Sequence, residues 1–280
     1  MRTDVGIRSE DLGERARREG DNIAESKLLG WLARAGFVAR GLVYLIIGLL
    51  AFKLALGDGG KATNQQGALK TIADRPFGET LLVIVAICLA GYSLWRLIRA
   101  AVGRGAEQRD SAFDRVAALA SGIAYGIVCV TAAKILTGSS TGSGTPKETT
   151  GGVLGWSGGT VLVAIAGAVL IGVAGYQAYK GLAKKFLDDA KTSEMSPGVL
   201  KAYTAIGVFG LVARAVVFAL IGYGLIKAAV DYDPHEAIGL DGALRKLAHA
   251  AYGPELLGLI AVGLIGFAAY SIADARYRKV

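Results

Sequence analysis

The chain has 280 residues, a hydrophobic fraction of 53%, a formal net charge of +8 and only two cysteines. Two lone cysteines exclude a disulfide framework, and long runs without any charged residue exclude an ordinary soluble domain. The excess of Lys and Arg does not indicate nucleic-acid binding, because no basic patch is interleaved with aromatic residues that could stack on bases.

The first 30 residues mix acids and bases densely and contain no apolar core and no small-residue cleavage site. This composition does not fit a signal peptide. We predict that residues 1–30 form a cytoplasmic N-terminal tail, most of which is a partly disordered segment.

Six apolar segments follow the tail, and each approaches the roughly 20 residues that a helix needs to cross a bilayer core of about 30 Å. Helices are expected because lipid cannot form hydrogen bonds with unpaired backbone N–H and C=O groups. The runs also lack the alternation of apolar and polar residues that is typical of barrel strands. The predicted fold class is an all-α integral membrane protein. Its spans are expected at about 35–56, 77–97, 114–136, 159–181, 203–228 and 254–273.

The loops between these spans differ strongly in charge. Twenty Lys and Arg residues lie in the tail, in the second and fourth connections and after the last span, whereas six lie on the opposite side, or nine with the lysines at span ends. The positive-inside rule therefore predicts that both termini are cytoplasmic. The net charge then belongs to one membrane face, where anionic lipids are the expected partners.

The first two spans recur twice along the chain. An offset of 81 residues places Arg40 on Ser121, and an offset of 174 places it on Arg214. The aromatic motifs GYSLW, GYQAY and GFAAY recur in the partner spans at nearly the same offsets. We predict three tandem helical hairpins, related by pseudo-three-fold symmetry about an axis near the membrane normal. Their expected bounds are 31–105, 112–190 and 203–275.

Two of the outer loops have helical spacing of apolar residues. Residues 67–75 and 242–251 are therefore predicted to form short helices that lie flat on the outer surface. The middle loop instead reads SSTGSGTPKETTGG, which is linker chemistry and predicts a flexible loop.

The repeated stretch ARAGFVARGLVYLIIG resembles the bacterial membrane family catalogued as domain of unknown function 1206. The resemblance covers about residues 30–275, and its Arg-Gly-x-x-Tyr signature is intact at Arg40, Gly41 and Tyr44. The later copies depart from it, with Ser121 for the Arg in one, and Ala215 and Phe218 for the Gly and Tyr in the other. The resemblance implies six spans in three repeats in a bacterial plasma membrane, and it implies no activity.

Lys53, Lys134 and Lys227 lie at the outer ends of the odd-numbered spans. An ammonium on a long stem reaches the headgroups there and favours a helix C-terminus, so interfacial anchoring is the simpler interpretation. The alternative is an outer ring of three cations that attracts anions.

Aromatic pairs lie near the inner ends of the even-numbered spans. We expect them to form an interfacial belt of the kind common in membrane proteins, rather than a stacking site for a cofactor. The pairs are Tyr92 with Trp95, Tyr176 with Tyr179, and Phe267 with Tyr270.

Arg40, Tyr44 and Gly48 are spaced by four residues and so share one stripe of the first span. Two interpretations stay open: Arg40 snorkels to the headgroups, or the three equivalent stripes face a common axis and hold an anion or a lipid phosphate. On the second interpretation the tentative binding residues are Arg40, Tyr44, Ser121, Tyr125, Arg214 and Phe218.

No catalytic constellation is recognisable, so we predict no enzyme, no cofactor and no metal. The acids and His235 in DYDPHE could bind a divalent ion, but solvated loop residues are the simpler interpretation. No acid lies within the uncharged runs, which argues against a proton-coupled pump. The leading hypothesis is binding or transport of an anion or small solute. The alternatives are a structural or accessory subunit of a membrane assembly, with a protein partner or oligomer left open, and a lipid-binding protein.

Overall fold

The computed structural model describes residues 27–57, 62–102, 112–139 and 146–279. Apart from its last four residues, the N-terminal tail 1–30 lies outside this described part of the chain. The described residues form nine α-helices: α1 (Lys27–Ala55), α2 (Gln65–Ala73), α3 (Gly78–Val102), α4 (Ala112–Leu136), α5 (Pro146–Leu154), α6 (Gly159–Leu182), α7 (Pro197–Val230), α8 (Leu240–Ala248) and α9 (Gly253–Tyr277). Short 3-10 turns lie at Lys185–Asp189, Thr192–Glu194 and Pro234–Glu236.

Six of these helices, α1, α3, α4, α6, α7 and α9, are long and apolar enough to cross a membrane, which confirms the predicted fold class. All six helices extend beyond at least one of their predicted ends, and the extensions of α7 and α9 bear on the interior of the bundle. Helix α7 begins at Pro197, because Ser196 accepts a hydrogen bond from the Val199 amide and a proline suits the first turn. Helix α9 continues to Tyr277 and so takes Asp274 into the bundle.

The short helices α2, α5 and α8 lie in the loops that join the two spans of each repeat. Helices α2 and α8 confirm the predicted surface helices, since Leu69 and Leu244 on their apolar faces are fully buried. The prediction of a flexible middle loop was wrong over residues 146–154, which form α5, whereas residues 140–145 lie outside the described part. Leu154 of α5 is buried against Val163 and Ala229, and this apolar anchor outweighs the linker-like composition.

The closest pairs of spans join the second span of one repeat to the first span of another: α3 with α4, α6 with α7, and α9 with α1. Glycines permit these close approaches. A Cβ on Gly167 would lie 2.8 Å from the carbonyl oxygen of Gly222, and the converse distance is also 2.8 Å. Gly48 approaches α9 in the same way, next to Ile265. Gly48 and Gly222, which occupy equivalent positions in the first and third repeats, therefore both make contacts between repeats.

Within the repeats the packing is unequal. Helix α1 packs on α3 and α7 packs on α9, but within the described residues α4 and α6 do not pack along their lengths. Only 22% of the apolar window of each of these two helices is buried, against 56% in α1. The spans thus form an open ring in the order α4, α3, α1, α9, α7, α6, with a gap between its two ends. A rotational three-fold relation among the repeats stays a prediction.

Candidate functional site: a cationic cavity within the bundle

Arg40 lies in the first half of α1 and is only 4% exposed. Its Nε donates to the Ser271 hydroxyl at 3.1 Å, and its Nη1 donates to the Tyr92 hydroxyl at 2.9 Å. Its guanidinium carbon lies 5.0 Å from the ring centres of both Phe37 and Phe267. Of the two interpretations left open, the one in which Arg40 snorkels to headgroups is wrong, because the side chain points into the bundle and is held there by polar partners.

Asp274 on α9 supplies a negative charge to this cluster and is completely buried. Its Oδ2 lies 3.5 Å from Nη2 of Arg40 and 3.0 Å from Nη1 of Arg278. Its Oδ1 accepts a hydrogen bond of 2.7 Å from the Tyr203 hydroxyl. Two guanidiniums and a phenol thus compensate the cost of burying a carboxylate.

A second buried acid, Asp189, lies in the 3-10 turn that connects α6 to α7. Its Oδ2 accepts hydrogen bonds from Lys180 at 2.6 Å and from Arg278 at 3.0 Å. The backbone amide of Lys279 donates to the Asp189 carbonyl, so the C-terminal end of α9 is tied to this turn. Arg278 thereby bridges the two acids, although its Nε is buried without a hydrogen-bond partner among the described residues.

Arg214 on α7 is the repeat equivalent of Arg40, yet its surroundings differ. Its Nε donates to the Tyr44 hydroxyl at 3.1 Å, and its guanidinium carbon lies 4.6 Å from the ring centre of Phe218 and 4.9 Å from that of Phe267. The Phe267 ring therefore contacts both arginines. Among the described residues no carboxylate pairs with Arg214, so its charge is not neutralised by an acid.

These groups surround a cavity of about 300 Å³ near the end of the bundle at which α1, α4 and α7 begin. This volume is at the lower end of the range for small-molecule sites. Of the described residues that line it, six are Lys or Arg and one is an acid, Asp274. The cations are Arg40, Arg96, Arg99, Lys180, Arg214 and Arg278. The cavity is therefore electropositive even after both buried acids are counted.

The wall of the cavity changes in polarity along α6. Val169 and Val173, nearer the middle of the helix, line its apolar part, whereas Gln177 and Lys180 line the part nearer the end of the helix. Gln177 is 9% exposed, and its carboxamide oxygen is buried without a hydrogen-bond partner among the described residues. A buried, unsatisfied carboxamide is costly unless something else completes its hydrogen bonding.

The structure brings the six tentative binding residues into one region, although it does not test their role. Arg40, Ser121, Tyr125, Arg214 and Phe218 line the cavity. Tyr44 lies behind Arg214, and its ring packs edge-on against that of Phe267 with centres 4.8 Å apart. The Ser121 hydroxyl has no hydrogen bond to either arginine among the described residues.

The three outer lysines are not equivalent. Lys227 donates to Glu236 at 2.7 Å and lies 3.8 Å from Asp231, so acids neutralise it. Lys53 is exposed and Lys134 partly exposed, and a joint role as an anion-attracting ring stays a prediction. The pairing also accounts for Glu236, one of the acids in the DYDPHE loop. Over the described residues, no group of three or more His, Cys, Asp or Glu is gathered that could hold a metal ion.

Two further expectations were wrong for physical reasons. The aromatic pairs of α3 and α9 do not form an interfacial belt: Tyr92, Trp95, Phe267 and Tyr270 are all at most 6% exposed and pack around the arginines. Of the other pair, Tyr179 is exposed as predicted. The expectation of no acid inside a span failed because Asp274 belongs to α9.

Sequence reasoning missed Asp274, Asp189 and Arg278. Asp274 lies seven residues after Phe267 and four after Tyr270, so it continues the stripe that the aromatic motif begins. Following that stripe past the last apolar residue would have placed Asp274 and Arg278 inside the bundle. No comparable pattern marks Asp189, since its burial depends on the path of the connection between α6 and α7.

Comparison with known proteins supports the repeat structure. A model of the family described as Domain of Unknown Function (DUF1206) matches residues 35–103, 116–184 and 209–278, and each match covers most of two of the six long apolar helices. The chain is also similar to a protein of Bacillus subtilis (strain 168), "Uncharacterized protein YxxB". The two are 33% identical over 250 residues, which is 88% of this chain and 90% of the relative. No solved structure matches the chain.

Proposed function

Since the chain belongs to the DUF1206 family, whose matches cover most of its length, we propose that it is a membrane protein that binds an anion in the cationic cavity. The observation that carries the proposal is the excess of cations around a buried space, with Arg214 unpaired by any described acid. Arg214 is partly buried, and a partly buried charge without a counterion costs free energy. An anion that enters the cavity would lower this cost and would meet several guanidinium donors.

The chemistry favours an oxyanion such as phosphate. Guanidinium groups donate in a planar fork that matches phosphate or carboxylate oxygens. Arg214 uses its Nε for Tyr44, and no hydrogen bond engages its two terminal nitrogens among the described residues. Arg40 is different, because Tyr92, Ser271 and Asp274 already occupy its donors. Arg214 is therefore the main residue that binds the anion in this proposal, and Arg40 contributes mainly its positive electrostatic potential.

The geometry supports binding more strongly than an open channel. Towards the opposite end of the bundle, the core beyond Phe218 contains apolar side chains such as Ile47 and Leu264, both fully buried. Ser93, which is buried at mid-bundle, donates to the Gly122 carbonyl and so is satisfied by backbone. Transport, if it occurs, would require these apolar layers to separate.

The proposal places the protein in a bacterial plasma membrane with both termini cytoplasmic. The charge difference between the two sets of loops supports this orientation, and the Bacillus subtilis relative supports a bacterial setting. The cavity would then lie in the cytoplasmic half of the bilayer. No catalytic role is proposed, and the protein acts as a binding protein or carrier.

A ligand-dependent shift in thermal unfolding tests anion binding. The full chain in dodecyl maltoside is titrated with inorganic phosphate at constant ionic strength, with chloride as the reference anion. A ligand that binds only the folded state stabilises it by mass action, so phosphate should raise Tm. Arg214→Gln should abolish this rise, whereas Lys201→Gln, which removes an exposed cation from the same helix, should retain it.

An accessory subunit without a ligand predicts a different result. In that case phosphate and chloride would give the same Tm, and Arg214→Gln and Lys201→Gln would behave alike. Equal responses of this kind would refute the proposed function.

A further inference from the structure

We propose that the anion bound in the cavity is the phosphate headgroup of a lipid, which enters sideways through the gap between α4 and α6. This inference rests on the proposed function, since it requires the cavity to bind an anion. It adds the route of entry and the chemical class of the ligand.

The gap lies between the two ends of the open ring. Helices α4 and α6 both contribute side chains to the cavity wall, yet they do not pack on each other in the described part of the bundle. Ala120 and Ala124 on α4 and Val169 on α6 line the cavity and are also exposed on the outside of the bundle. Residues that line the cavity and are also exposed outside the bundle mark an opening. This opening lies between the spans α4 and α6.

The two helices that border the opening, α4 and α6, both expose apolar side chains that would face lipid. On α4 the neighbouring Ile123 and Ile127 are 52% and 58% exposed, and on α6 Leu162 and Ile165 are 52% and 54% exposed. Exposed apolar side chains on spanning helices contact acyl chains in a bilayer. A ligand that enters between α4 and α6 therefore comes from the membrane and not from water.

The polarity inside the cavity matches an amphiphile. The lining on α6 extends from Val169 to Lys180, eleven residues or roughly 16 Å of helix. Its first part is apolar, and its last part contains Gln177 and Lys180 near the end of the helix. A lipid of the cytoplasmic leaflet has the same order, with its acyl chains towards the bilayer centre and its phosphate towards the end of the span.

The size of the cavity fits only the polar part of such a molecule. A volume of about 300 Å³ accommodates a headgroup, and the acyl chains would leave through the gap into the bilayer. The unpartnered Nε of Arg278 could donate to a phosphate oxygen, and the unsatisfied carboxamide oxygen of Gln177 could accept from a hydroxyl of the headgroup. A free anion has no apolar group that could pack against the apolar part of the cavity wall.

Three soluble probes distinguish a lipid phosphate from a free phosphate. Tm of the full chain is measured with dihexanoyl phosphatidate, dihexanoyl phosphatidylcholine and inorganic phosphate. The two lipids are kept below their critical micelle concentrations. The inference predicts that phosphatidate acts at a concentration at least tenfold lower than inorganic phosphate. Phosphatidylcholine, whose phosphate is neutralised by choline, should have little effect.

Blocking the opening tests the route. Ala124→Trp places a large side chain in the gap and should abolish the phosphatidate effect while retaining the phosphate effect. Ile123→Trp, on the neighbouring lipid-facing position, is the matched control and should leave both unchanged. Ala120→Trp provides a second block if Ala124→Trp lowers the Tm measured without ligand.

Each outcome separates this inference from the proposed function. Equal potency of phosphate and phosphatidate, with no effect of either tryptophan at the gap, would overturn lateral lipid entry and leave anion binding intact. No Arg214-dependent response to either probe would overturn both. A stable dimer that Ala124→Trp dissociates would show that a second copy of the chain covers the gap, and would also overturn the inference.

Discussion

Arg40 and Asp274 form a buried ion pair beside the cavity, with 3.5 Å between Nη2 and Oδ2, although 234 positions separate them in the sequence. The pair joins α1 to α9 and therefore the first repeat to the last. Arg278 shares the same carboxylate oxygen at 3.0 Å, so Asp274 serves two cations.

Because Asp274 pairs with two cations, we expect substitution of Asp274 to lower the stability more than substitution of Arg40. Asp274→Asn leaves Arg40 without an acid among the described residues, and breaking a buried pair costs about 3–5 kcal/mol. Arg40→Gln should cost less, because Asp274 keeps Arg278 and the Tyr203 hydroxyl. Thermal unfolding in detergent checks the order, with Lys191→Gln, which removes a partner of the exposed Glu194, as a control expected to change stability by less than about 1 kcal/mol. A larger loss for Arg40→Gln than for Asp274→Asn would contradict this account.

Close helix contact at Gly210 supports the aromatic ring between the two arginines. A Cβ on Gly210 would lie 2.6 Å from the backbone of Phe267, whereas a Cβ on Gly175 would have no neighbour within 4 Å. Gly210→Ala should therefore destabilise by about 1–3 kcal/mol through overpacking. Gly175→Ala should be neutral or stabilising by up to roughly 1 kcal/mol, because alanine favours a helix interior. Comparable Tm values for the two variants would show that α7 and α9 are not so closely packed.

The interaction between Lys227 and Glu236, at the end of the bundle opposite the cavity, should depend on pH. A hydrogen bond from Lys227 lowers the pKa of Glu236 below its usual value, and the charge of Lys246 acts in the same direction. A carboxyl with a lowered pKa stabilises the fold above its ordinary pKa of about 4.3, and this contribution is lost as the pH falls through the lowered value. Glu236→Gln should therefore lower Tm slightly at pH 7 and have a smaller effect at pH 3. A difference that persists unchanged at pH 3 or in 1 M salt would exclude this origin.

The proposed orientation predicts which loops are accessible from outside the cell. In a background with Cys88→Ala and Cys129→Ala, Lys70→Cys on α2 should react with a membrane-impermeant maleimide in intact cells. Lys185→Cys, in the connection between α6 and α7, should react only after the membrane is permeabilised. Both side chains are exposed, so burial does not bias the comparison. The reverse pattern of labelling would invert the topology.

The spans and the surface helices α2 and α8 were predictable because apolar length and helical spacing are local properties of a sequence. The network around Asp274 was not found, since a charge that ends an apolar run looks the same whether it meets headgroups or a buried partner. Arg40 illustrates the difficulty: its partners Tyr92, Ser271 and Asp274 lie on two other helices. The gap between α4 and α6 has no sequence signature either, because the middle repeat matches the family as the others do.

The central claim is that an oxyanion occupies the cavity beside Arg214. Tungstate is a tetrahedral, doubly charged analogue of phosphate, and its metal can be located by anomalous diffraction from crystals soaked with it. The account predicts an anomalous peak inside the cavity, with tungstate oxygens at about 3 Å from the terminal nitrogens of Arg214, and no such peak in Arg214→Gln. Saturating tungstate that leaves the cavity without a peak in the wild-type protein would contradict the account.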